Sequence, residues 1–427
     1  MKKLNILYIT EYFPPYIIGG AEISTSLIVK EVSKYHNCYI LIGNFQKMPW
    51  LFERSEVFPF LKRYEIKEKN LTNIIKSEVK YYLNIYINKK ILLNLIDEKK
   101  IDIIHVIPTG YYDFPILKSA LDSNKPIIID NRNGILACPI SFCRKCKKNF
   151  SFDFQCIKCV SKNYSIDLGF FSFIKIIFST YELLRFKIIK NILNKKISKN
   201  SNIILVSNSN YVKNQLIEAG YPKNKIVVIY NICDFEILDN KIFKRENKIV
   251  FAGSLEESKG IWDAIKAFEL LNDKDLYFDI AGDGREMDSI KKYISDKKIK
   301  NINLLGWIDH NQVSKLYLKS KIIIAPSVWP EPFGRFILES MATRTPLIST
   351  KTGGTPEEGI RDQETGLLVE PNNPQQLAEA IKKLLTNKKL YEKISKNLPK
   401  EAEKYSPEVI GKQRILLYKE ILKKNNI

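Results

Sequence analysis

Short apolar runs alternate along the chain with stretches in which apolar residues recur every three or four positions. The runs predict buried strands, and the recurrences predict amphipathic helices. In the first half, strands are predicted at residues 4–10, 38–43, 101–106, 127–130, 202–207 and 225–230. A helix is predicted to start near Ala21, and a lysine-rich helix is predicted over residues 71–99. Strands that alternate with helices indicate an α/β fold with a doubly wound parallel sheet.

The same alternation restarts after residues 239–248, a polar and charged stretch that is typical of a linker between domains. Further strands are predicted at residues 249–252, 277–281, 302–305, 322–325 and 346–349. Helices are predicted at residues 375–385 and, closing the chain, 407–424. The pattern therefore predicts two α/β domains, residues 1–238 and 239–406, followed by a terminal helix over residues 407–427.

Glycine turns follow the predicted strands of the second half. They lie at Gly253-Ser254, Gly282-Asp283-Gly284, Gly306-Trp307, Gly334 and Gly353-Gly354, and the first half has Gly19-Gly20 before its first helix. Because carboxyl ends of parallel strands meet at one edge, these turns would line the edge where doubly wound folds bind ligands. Lys259-Gly260, at a predicted helix start, favours binding of a diphosphate. The G-x-G-x-x-G pattern of dinucleotide-binding oxidoreductases is not present at these turns.

Residues 329–342, WPEPFGRFILESMA, contain two carboxylates eight positions apart, Glu331 and Glu339. Gly334 allows a tight turn, and the pattern becomes helical after it, so Glu339 would face the same side as Arg335. The amides of a helix N-terminus suit a phosphate, and the carboxylates suit hydroxyl groups. An ordinary turn with solvated acids is the alternative interpretation.

The chain has 427 residues and a formal net charge of +21. Such a charge favours anionic partners, namely nucleic acid, an anionic membrane surface or phosphorylated substrates. Lys, Ile and Asn are abundant throughout, so codon bias is an alternative source of the charge.

Residues 168–193 are the part of the chain richest in large apolar side chains, with basic residues among them. This pattern fits either a helix packed on the core or a basic amphipathic helix at a membrane surface. Uncharged apolar runs stay below the roughly 20 residues that a membrane span requires. The start, MKKLNILYIT, is predicted to be a strand rather than a signal peptide, which indicates a cytoplasmic protein.

Cys143, Cys146, Cys156 and Cys159 form the pattern C-x2-C-x9-C-x2-C, with Cys138 left over. In a cytosolic protein this spacing favours a structural zinc site, while an iron–sulfur cluster or free thiols are alternatives. A zinc ribbon on a basic chain also fits a nucleic-acid-binding protein, although basic motifs interleaved with aromatic residues are lacking. The triplet Asp273-Lys274-Asp275 fits an exposed turn better than a metal–diphosphate site, because it stands between a helix and a strand.

Several motifs together resemble the nucleotide-sugar domain of the retaining glycosyltransferases of family 4, the glycosyl transferases group 1. They are FAGSLEESKG (251–260), AGDG (281–284), LGWID (305–309), the E-x7-E motif, TGGTPE (352–357) and ETGLLVEP (364–371). The first half adds FPPYIIGGAE (13–22) and DIIH (102–105), so the resemblance covers nearly the whole chain. It implies the GT-B fold, with two Rossmann-like domains facing a central cleft. The first domain would be the acceptor side with a cysteine-rich insertion at 138–159, and the terminal helix would pack back toward it.

The resemblance also implies an activity, namely transfer of a sugar from a nucleotide diphosphate sugar to a glycan or lipid-linked acceptor with retention of configuration. Glu331 would bind sugar hydroxyls, Glu339 the ribose, and Lys259 the departing diphosphate, with no catalytic metal. The other implied donor-binding residues are Gly19, Gly20, Gly253, Ser254, Gly282, Phe333, Gly334 and Arg335. A GT-B epimerase is the alternative enzyme, and the E-x7-E motif argues against it. The acceptor is predicted to belong to cell-surface polysaccharide synthesis, and the basic charge and residues 168–193 favour a location at the inner face of the membrane.

Two positions depart from the family pattern. Many members have Arg where this chain has Ser254, and Arg335 would compensate. Many also have a His-Asp pair after the fourth strand, where this chain has Arg132-Asn133, so Arg132 is the candidate catalytic residue of the first domain. His105, a lone histidine in the DIIH motif, is predicted to be structural.

Overall fold

The structure is a computed structural model that describes residues 2–14, 20–43, 55–59, 86–108, 114–138, 156–158, 172–233, 245–356 and 359–423. The chain divides into two compact units. Unit 1 comprises Met1–Tyr230 and Gly411–Ile427, and unit 2 comprises Asn231–Ile410. The sequence-based boundaries were placed after residues 238 and 406.

Unit 1 contains a parallel sheet of seven strands in the order β3-β2-β1-β4-β5-β6-β7. In chain order the strands are β1 (Asn5–Thr10), β2 (Asn37–Ile42), β3 (Ser55–Pro59), β4 (Ile103–Ile107), β5 (Ile127–Asn131), β6 (Ile203–Ser207) and β7 (Ile226–Val228). Residues such as Ile6, Leu7 and Ile9 are completely buried. Burial of each such side chain stabilises the fold by about 1.5–3 kcal/mol. Because both faces of a parallel sheet are buried, its strands carry apolar residues at consecutive positions, and the sequence shows them as apolar runs.

The helices of unit 1 connect these strands. They are α1 (Gly20–Ser33), α2 (86–98), α3 (Phe114–Leu121), α4 (Ser172–Lys199) and α5 (Asn210–Glu218). The part of α12 (Pro407–Lys423) from Gly411 onward also belongs to unit 1. The edge strand β3 was not predicted, because its sequence SEVFP is short and ends in proline.

Helix α4 includes most of the basic apolar segment singled out in the sequence. One face packs in the core through Leu183, Phe186, Ile189, Leu193 and Ile197. A second face exposes a row of apolar side chains at helical spacing, each 38 to 52% exposed: Ile177, Tyr181, Leu184, Ile188 and Ile192. The core-packing interpretation is therefore confirmed for one face of the helix, and the other face is apolar and exposed. Among the described helices, none is long and apolar enough to cross a membrane.

Unit 2 contains a parallel sheet of six strands in the order β10-β9-β8-β11-β12-β13. The strands are β8 (Lys248–Ala252), β9 (Tyr277–Ala281), β10 (Ile302–Gly306), β11 (Ile322–Ala325), β12 (Leu347–Thr350) and β13 (Leu367–Val369). The helices are α6 (Ile261–Leu271), α7 (Met287–Asp296), α8 (His310–Lys319), α9 (Arg335–Thr343), α10 (Pro374–Thr386) and α11 (Lys388–Ala402). Strand β13 and helices α8 and α11 were not predicted.

Both sheets reverse the direction of their strand order at one point, between β1 and β4 in unit 1 and between β8 and β11 in unit 2. Doubly wound sheets bind ligands at this switch point, beyond the carboxyl ends of the strands. The α/β prediction with two Rossmann-like sheets is confirmed. The loops that follow β8 and β11 are therefore where a ligand site of unit 2 is expected.

Candidate functional site

An ion pair joins the two loops at the switch point of unit 2. The ammonium nitrogen of Lys259, in the loop after β8, lies 2.5 Å from Oε1 of Glu331, in the loop after β11. The Ser327 hydroxyl donates to the same oxygen at 3.0 Å. The Lys259 side chain is 31% exposed and that of Glu331 only 11%, so the lysine is the more accessible member of the pair.

Backbone contacts hold these loops together. The amides of Val328 and Trp329 both donate to the carbonyl of Ser258, each at 2.9 Å. Gly260 has a φ of +71°, and a Cβ there would lie 1.8 Å from the Pro326 carbonyl oxygen, so only glycine allows this approach. Lys259 thus ends a short 3₁₀ turn, and α6 starts after Gly260 rather than at the lysine.

The other side of the Glu331 loop is supported from β12. The amide of Gly354 donates to the Glu331 carbonyl at 2.7 Å. Gly353 has a φ of +60°, and a Cβ there would lie 2.3 Å from the same carbonyl oxygen. The TGG sequence therefore packs directly against the backbone of Glu331 and holds this part of the loop in place.

A second cluster of charged side chains lies one step further along the chain. Nε of Arg335 is 3.3 Å from Oε1 of Glu339, one turn along α9, as the helical spacing predicted. Nδ1 of His310 lies 3.6 Å from the same carboxylate oxygen. Both Arg335 and Glu339 are largely buried, with side chains 10% exposed.

Sequence reasoning did not identify His310 or Ser327 as part of the site. The signal for His310 was available, because Asp309 and Gln312 form a capping box that starts α8 at this histidine. The signal for Ser327 was weaker, since a serine after a strand has no distinctive spacing.

Helix α9 begins beside these carboxylates. Its N-cap is Gly334, which provides no side-chain cap, so the first-turn amides keep their positive dipole without a capping oxygen from that residue. The Phe333 side chain is buried, with its ring centroid 5.8 Å from that of Tyr405. Phe333 therefore anchors the turn in the core, and its predicted contact with a ligand stays a prediction about its backbone.

The remaining predicted glycine loops of unit 2 are linked by backbone bonds at the same edge. The amide of Gly253 donates to Ala281 at 3.0 Å, and that of Gly282 donates to Gly306 at 2.7 Å. Gly253 and Ser254 are exposed. Asp273 and Asp275 lie before β9, at the opposite edge of the sheet, and form the exposed turn that was predicted.

In unit 1 the structure places Gly20 at the start of α1, while Gly19 lies outside the described residues. Arg132 follows β5 and is 6% exposed. Its guanidinium donates to the Ala21 carbonyl and the Thr25 hydroxyl of α1, each at 3.0 Å, and to Asp130 at 2.9 Å. The predicted catalytic residue of unit 1 is thus engaged by protein acceptors.

His105 is completely buried, as predicted for a structural histidine, with Nδ1 2.9 Å from the Tyr418 hydroxyl. Of the predicted zinc ligands, Cys156 is described and buried. Cys143, Cys146 and Cys159 lie outside the described residues, so the zinc site stays a prediction.

The site geometry can be compared with known proteins. Residues 234–401 match the family model for glycosyl transferases group 1. The matched residues all lie in unit 2. The match spans Lys259, Glu331, Arg335 and Glu339, which form the two clusters described above.

Curated relatives match part of the chain. An uncharacterized glycosyltransferase of Methanocaldococcus jannaschii is 34% identical over 209 residues, covering 48% of this chain and 57% of the relative. A lipopolysaccharide core biosynthesis glycosyltransferase of Rhizobium meliloti is 30% identical over 148 residues, covering 34% of this chain and 42% of the relative. The chain thus spans about half the length of the curated relatives that it matches.

A solved structure shows the fold of the whole chain. HepE of Anabaena, in complex with UDP and glucose, superposes with a TM-score of 0.66 over 98% of this chain and 100% of its own, at 17% identity. This likeness confirms the two-domain α/β fold of the GT-B class.

Proposed function

We propose that this protein is a retaining glycosyltransferase that uses a nucleotide diphosphate sugar as donor. The observation that carries the proposal is the pairing of Lys259 with Glu331 and of Arg335 with Glu339 at the carboxyl edge of one parallel sheet. Each pair combines a cation that suits phosphate with a carboxylate that suits hydroxyl groups. A nucleotide sugar presents both chemistries in one molecule.

The Lys259–Glu331 pair fits the reacting end of such a donor. When a diphosphate leaves a sugar, negative charge develops on the phosphate oxygens, and a nearby ammonium and helix amides stabilise it. In the structure, Lys259 pairs with Glu331. A diphosphate that draws Lys259 away would leave Glu331 as an acceptor for the hydroxyls of the sugar.

The Arg335–Glu339 pair fits the nucleoside end. Glu339 is fixed by its own helix partner Arg335 and faces His310 of α8. A carboxylate held in this way can accept hydrogen bonds from both ribose hydroxyls. Each such bond to a charged acceptor contributes about 1.5–3 kcal/mol. The HepE complex, which contains UDP, is consistent with a nucleotide in this domain type.

The proposal is tested by release of nucleoside diphosphate from a panel of nucleotide sugars. Wild-type protein should release the diphosphate from one class of donor, and Glu331→Ala should lower the rate while keeping the nucleotide affinity. A wild-type protein that releases diphosphate from no donor would contradict the proposal. Retention is tested on the product, whose anomeric proton coupling in NMR should match that of the donor sugar.

For the acceptor, we propose a glycan or lipid-linked oligosaccharide of cell-surface polysaccharide synthesis. The relative from Rhizobium meliloti carries lipopolysaccharide core biosynthesis in its name, which supports this class. The test is transfer of radiolabelled sugar to lipid-linked and free oligosaccharides. Incorporation into neither class would contradict the acceptor assignment.

We further propose that the exposed face of α4 contacts an anionic membrane surface. The apolar row from Ile177 to Ile192 is accompanied by the exposed Lys187 and Lys195, and the chain carries a net charge of +21. Apolar burial combined with cationic residues is the pattern of interfacial helices. In flotation with liposomes that contain anionic lipid, the wild type should bind and Ile188→Glu should not. Equal flotation of both proteins would contradict the assignment to this face.

A further inference from the structure

A cluster of buried charges lies inside unit 1, where β5 ends. It comprises Asp130 near the end of β5, Arg132 directly after β5, His105 of β4 and Arg414 of α12. Asp130, His105 and Arg414 are completely buried, and Arg132 is 6% exposed. We call these four residues the Asp130 cluster.

One carboxylate oxygen of Asp130 contacts all three of the other residues. Oδ2 lies 2.9 Å from Nη2 of Arg132, 2.8 Å from Nη1 of Arg414 and 3.5 Å from Nε2 of His105. The Arg414 contact is an ion pair without hydrogen-bond alignment. Burial lowers the pKa of His105 to about 4, so the imidazole is neutral near pH 7. Two guanidinium groups therefore share a single carboxylate in the interior.

Arg132 connects this cluster to the first helix of the chain. Its Nη2 faces Asp130, whereas its Nη1 donates to the Ala21 carbonyl and the Thr25 hydroxyl, each at 3.0 Å. Both acceptors lie in the first turns of α1, which begins at Gly20. The guanidinium thus bridges the end of β5 and the start of α1.

The orientation of the Asp130 carboxylate decides which N–H groups of Arg132 face it. An arginine alone with a carboxylate prefers a bidentate arrangement, in which two N–H groups bind the two oxygens. Here Arg132 contributes only Nη2, and neither its Nε nor Oδ1 of Asp130 has a hydrogen-bond partner. Arg414 holds the carboxylate in this orientation through Oδ2. Without Arg414, the carboxylate would be free to turn Oδ1 toward Nε, and the guanidinium would rotate with it, at the expense of the Nη1 contacts with α1.

We propose that Arg414 is a positioning residue, which acts through Asp130 on Arg132 to hold the first turn of α1 at the carboxyl edge of the unit 1 sheet. Arg132 is then itself a positioning residue rather than a group that contacts the donor. Any role in catalysis rests on the proposed transferase function, in which unit 1 belongs to the acceptor side. Because Arg414 belongs to the closing helix, the last segment of the chain completes this edge of unit 1.

Hydrogen exchange of the free protein tests the arrangement without a substrate. The readout is exchange at the amides of Ser24 and Thr25, which close the first turn of a helix that begins at Gly20. Arg414→Met should accelerate this exchange roughly tenfold, since charge-assisted hydrogen bonds from Arg132 are lost. The substitution leaves one guanidinium for one carboxylate, so the fold should be retained. Arg414→Lys, which restores a cation, should exchange like the wild type.

The decisive comparison is made in the background of Arg132→Met. The double variant leaves the buried Asp130 carboxylate without a guanidinium, so exchange at Ser24 and Thr25 is taken relative to that of the α5 amides in the same variant. If Arg414 acts through Arg132, adding Arg414→Met to Arg132→Met should change this ratio less than about twofold, whereas independent effects would multiply. Lys412→Met is the matched control, because it removes a cation from an exposed position of the same helix. Wild-type exchange in Arg414→Met, or multiplicative effects in the double variant, would overturn the proposal.

The catalytic half is tested separately with the nucleotide sugar whose diphosphate the wild type releases. Arg414→Met should lower kcat while leaving the KM for the donor unchanged within about twofold, because the donor-binding residues proposed above belong to unit 2. Arg414→Lys should recover kcat. An unchanged kcat together with accelerated exchange would overturn the catalytic half. If the wild type turns over no donor, the proposed function fails, and the exchange experiment still decides the positioning.

Discussion

Replacement of Lys259 by methionine separates phosphate binding from nucleoside binding. Lys259→Met keeps a side chain of similar length and removes the ammonium that lies 2.5 Å from Glu331. If this ammonium binds the diphosphate, the variant should lose affinity for UDP and keep its affinity for uridine. Glu331 retains the hydrogen bond from Ser327 at 3.0 Å, so its carboxylate keeps a donor.

The expected magnitude follows from the exposure and charge of the pair. A hydrogen bond between charged groups contributes about 1.5–3 kcal/mol, which corresponds to roughly 10- to 150-fold in the Kd for UDP. The effect on folding should be smaller, since the lysine is 31% exposed. Ion pairs with solvent access contribute about 0–1 kcal/mol. A large loss of UDP affinity with little loss of stability is therefore the expected combination.

Isothermal titration of UDP and uridine into the full-length protein measures both affinities. Lys351→Met is the matched control, because Lys351 follows β12 at the same sheet edge and pairs with Glu370 at 2.9 Å. This control should bind UDP like the wild type. Unchanged UDP affinity in Lys259→Met, or an equal loss for uridine, would refute the assignment of Lys259 to the diphosphate. An equal loss in Lys351→Met would show an effect of net charge alone.

Further predictions concern the nucleoside, the pH dependence, the fold of unit 2 and the metal. Glu339→Gln should weaken uridine and UDP binding by the same factor, about 10-fold or more by titration calorimetry, because Glu339 is the proposed acceptor for the ribose hydroxyls; loss confined to UDP would contradict this role. Because burial lowers the pKa of His105 from 6.5 to about 4, the free energy of unfolding should fall as the pH drops from 6.5 to 4. In His105→Gln this fall, measured by denaturation at each pH, should be smaller by up to about 3 kcal/mol, and an equal fall in both proteins would contradict the prediction. Arg245 donates to Ser320, Thr345 and Thr343 at 2.7 to 3.0 Å, so Arg245→Met should destabilise unit 2 by about 3 kcal/mol in urea denaturation, and an unchanged midpoint would contradict this. Elemental analysis should find zinc in the wild type, and metal-free wild-type protein would contradict the zinc prediction. The zinc should be lost when serine replaces the predicted ligands Cys143, Cys146, Cys156 and Cys159.

Most of the fold was predictable because parallel strands are buried on both faces and form continuous apolar runs. Strands β1, β5 and β11 each contain at least three consecutive apolar or aromatic residues, and this pattern alone located them. Strand β13 has only three residues, which is too short for any periodicity. Helix α11 was missed because its buried residues are few among many lysines and glutamates.

The site was predictable where the signal is local. The spacing of Arg335 and Glu339 follows from helical geometry, and the structure brings the two side chains together. The pairing of Lys259 with Glu331 bridges 72 positions and depends on the parallel neighbours β8 and β11, so spacing alone could not predict it.

The partners of Arg132 show the same limit more strongly. Nothing in the residues around position 132 indicates contacts with Thr25, which lies 107 positions earlier, or a carboxylate shared with Arg414 of the closing helix. The motif therefore located Arg132 at a sheet edge, and tertiary packing decides which atoms its guanidinium binds.

A thermal-shift panel of nucleotide sugars on the wild type and Glu331→Ala tests the central claim, that unit 2 binds a nucleotide diphosphate sugar. At about 100 times its Kd, a bound donor stabilises the folded state by about 2.7 kcal/mol, which corresponds to roughly 5–10 °C for a domain of this size. One class of nucleotide sugar should raise the Tm of the wild type by this amount. Glu331→Ala should keep the part of the shift that the nucleotide alone produces and lose the part that depends on the sugar. If no nucleotide or nucleotide sugar raises the Tm of the wild type, the central claim is contradicted.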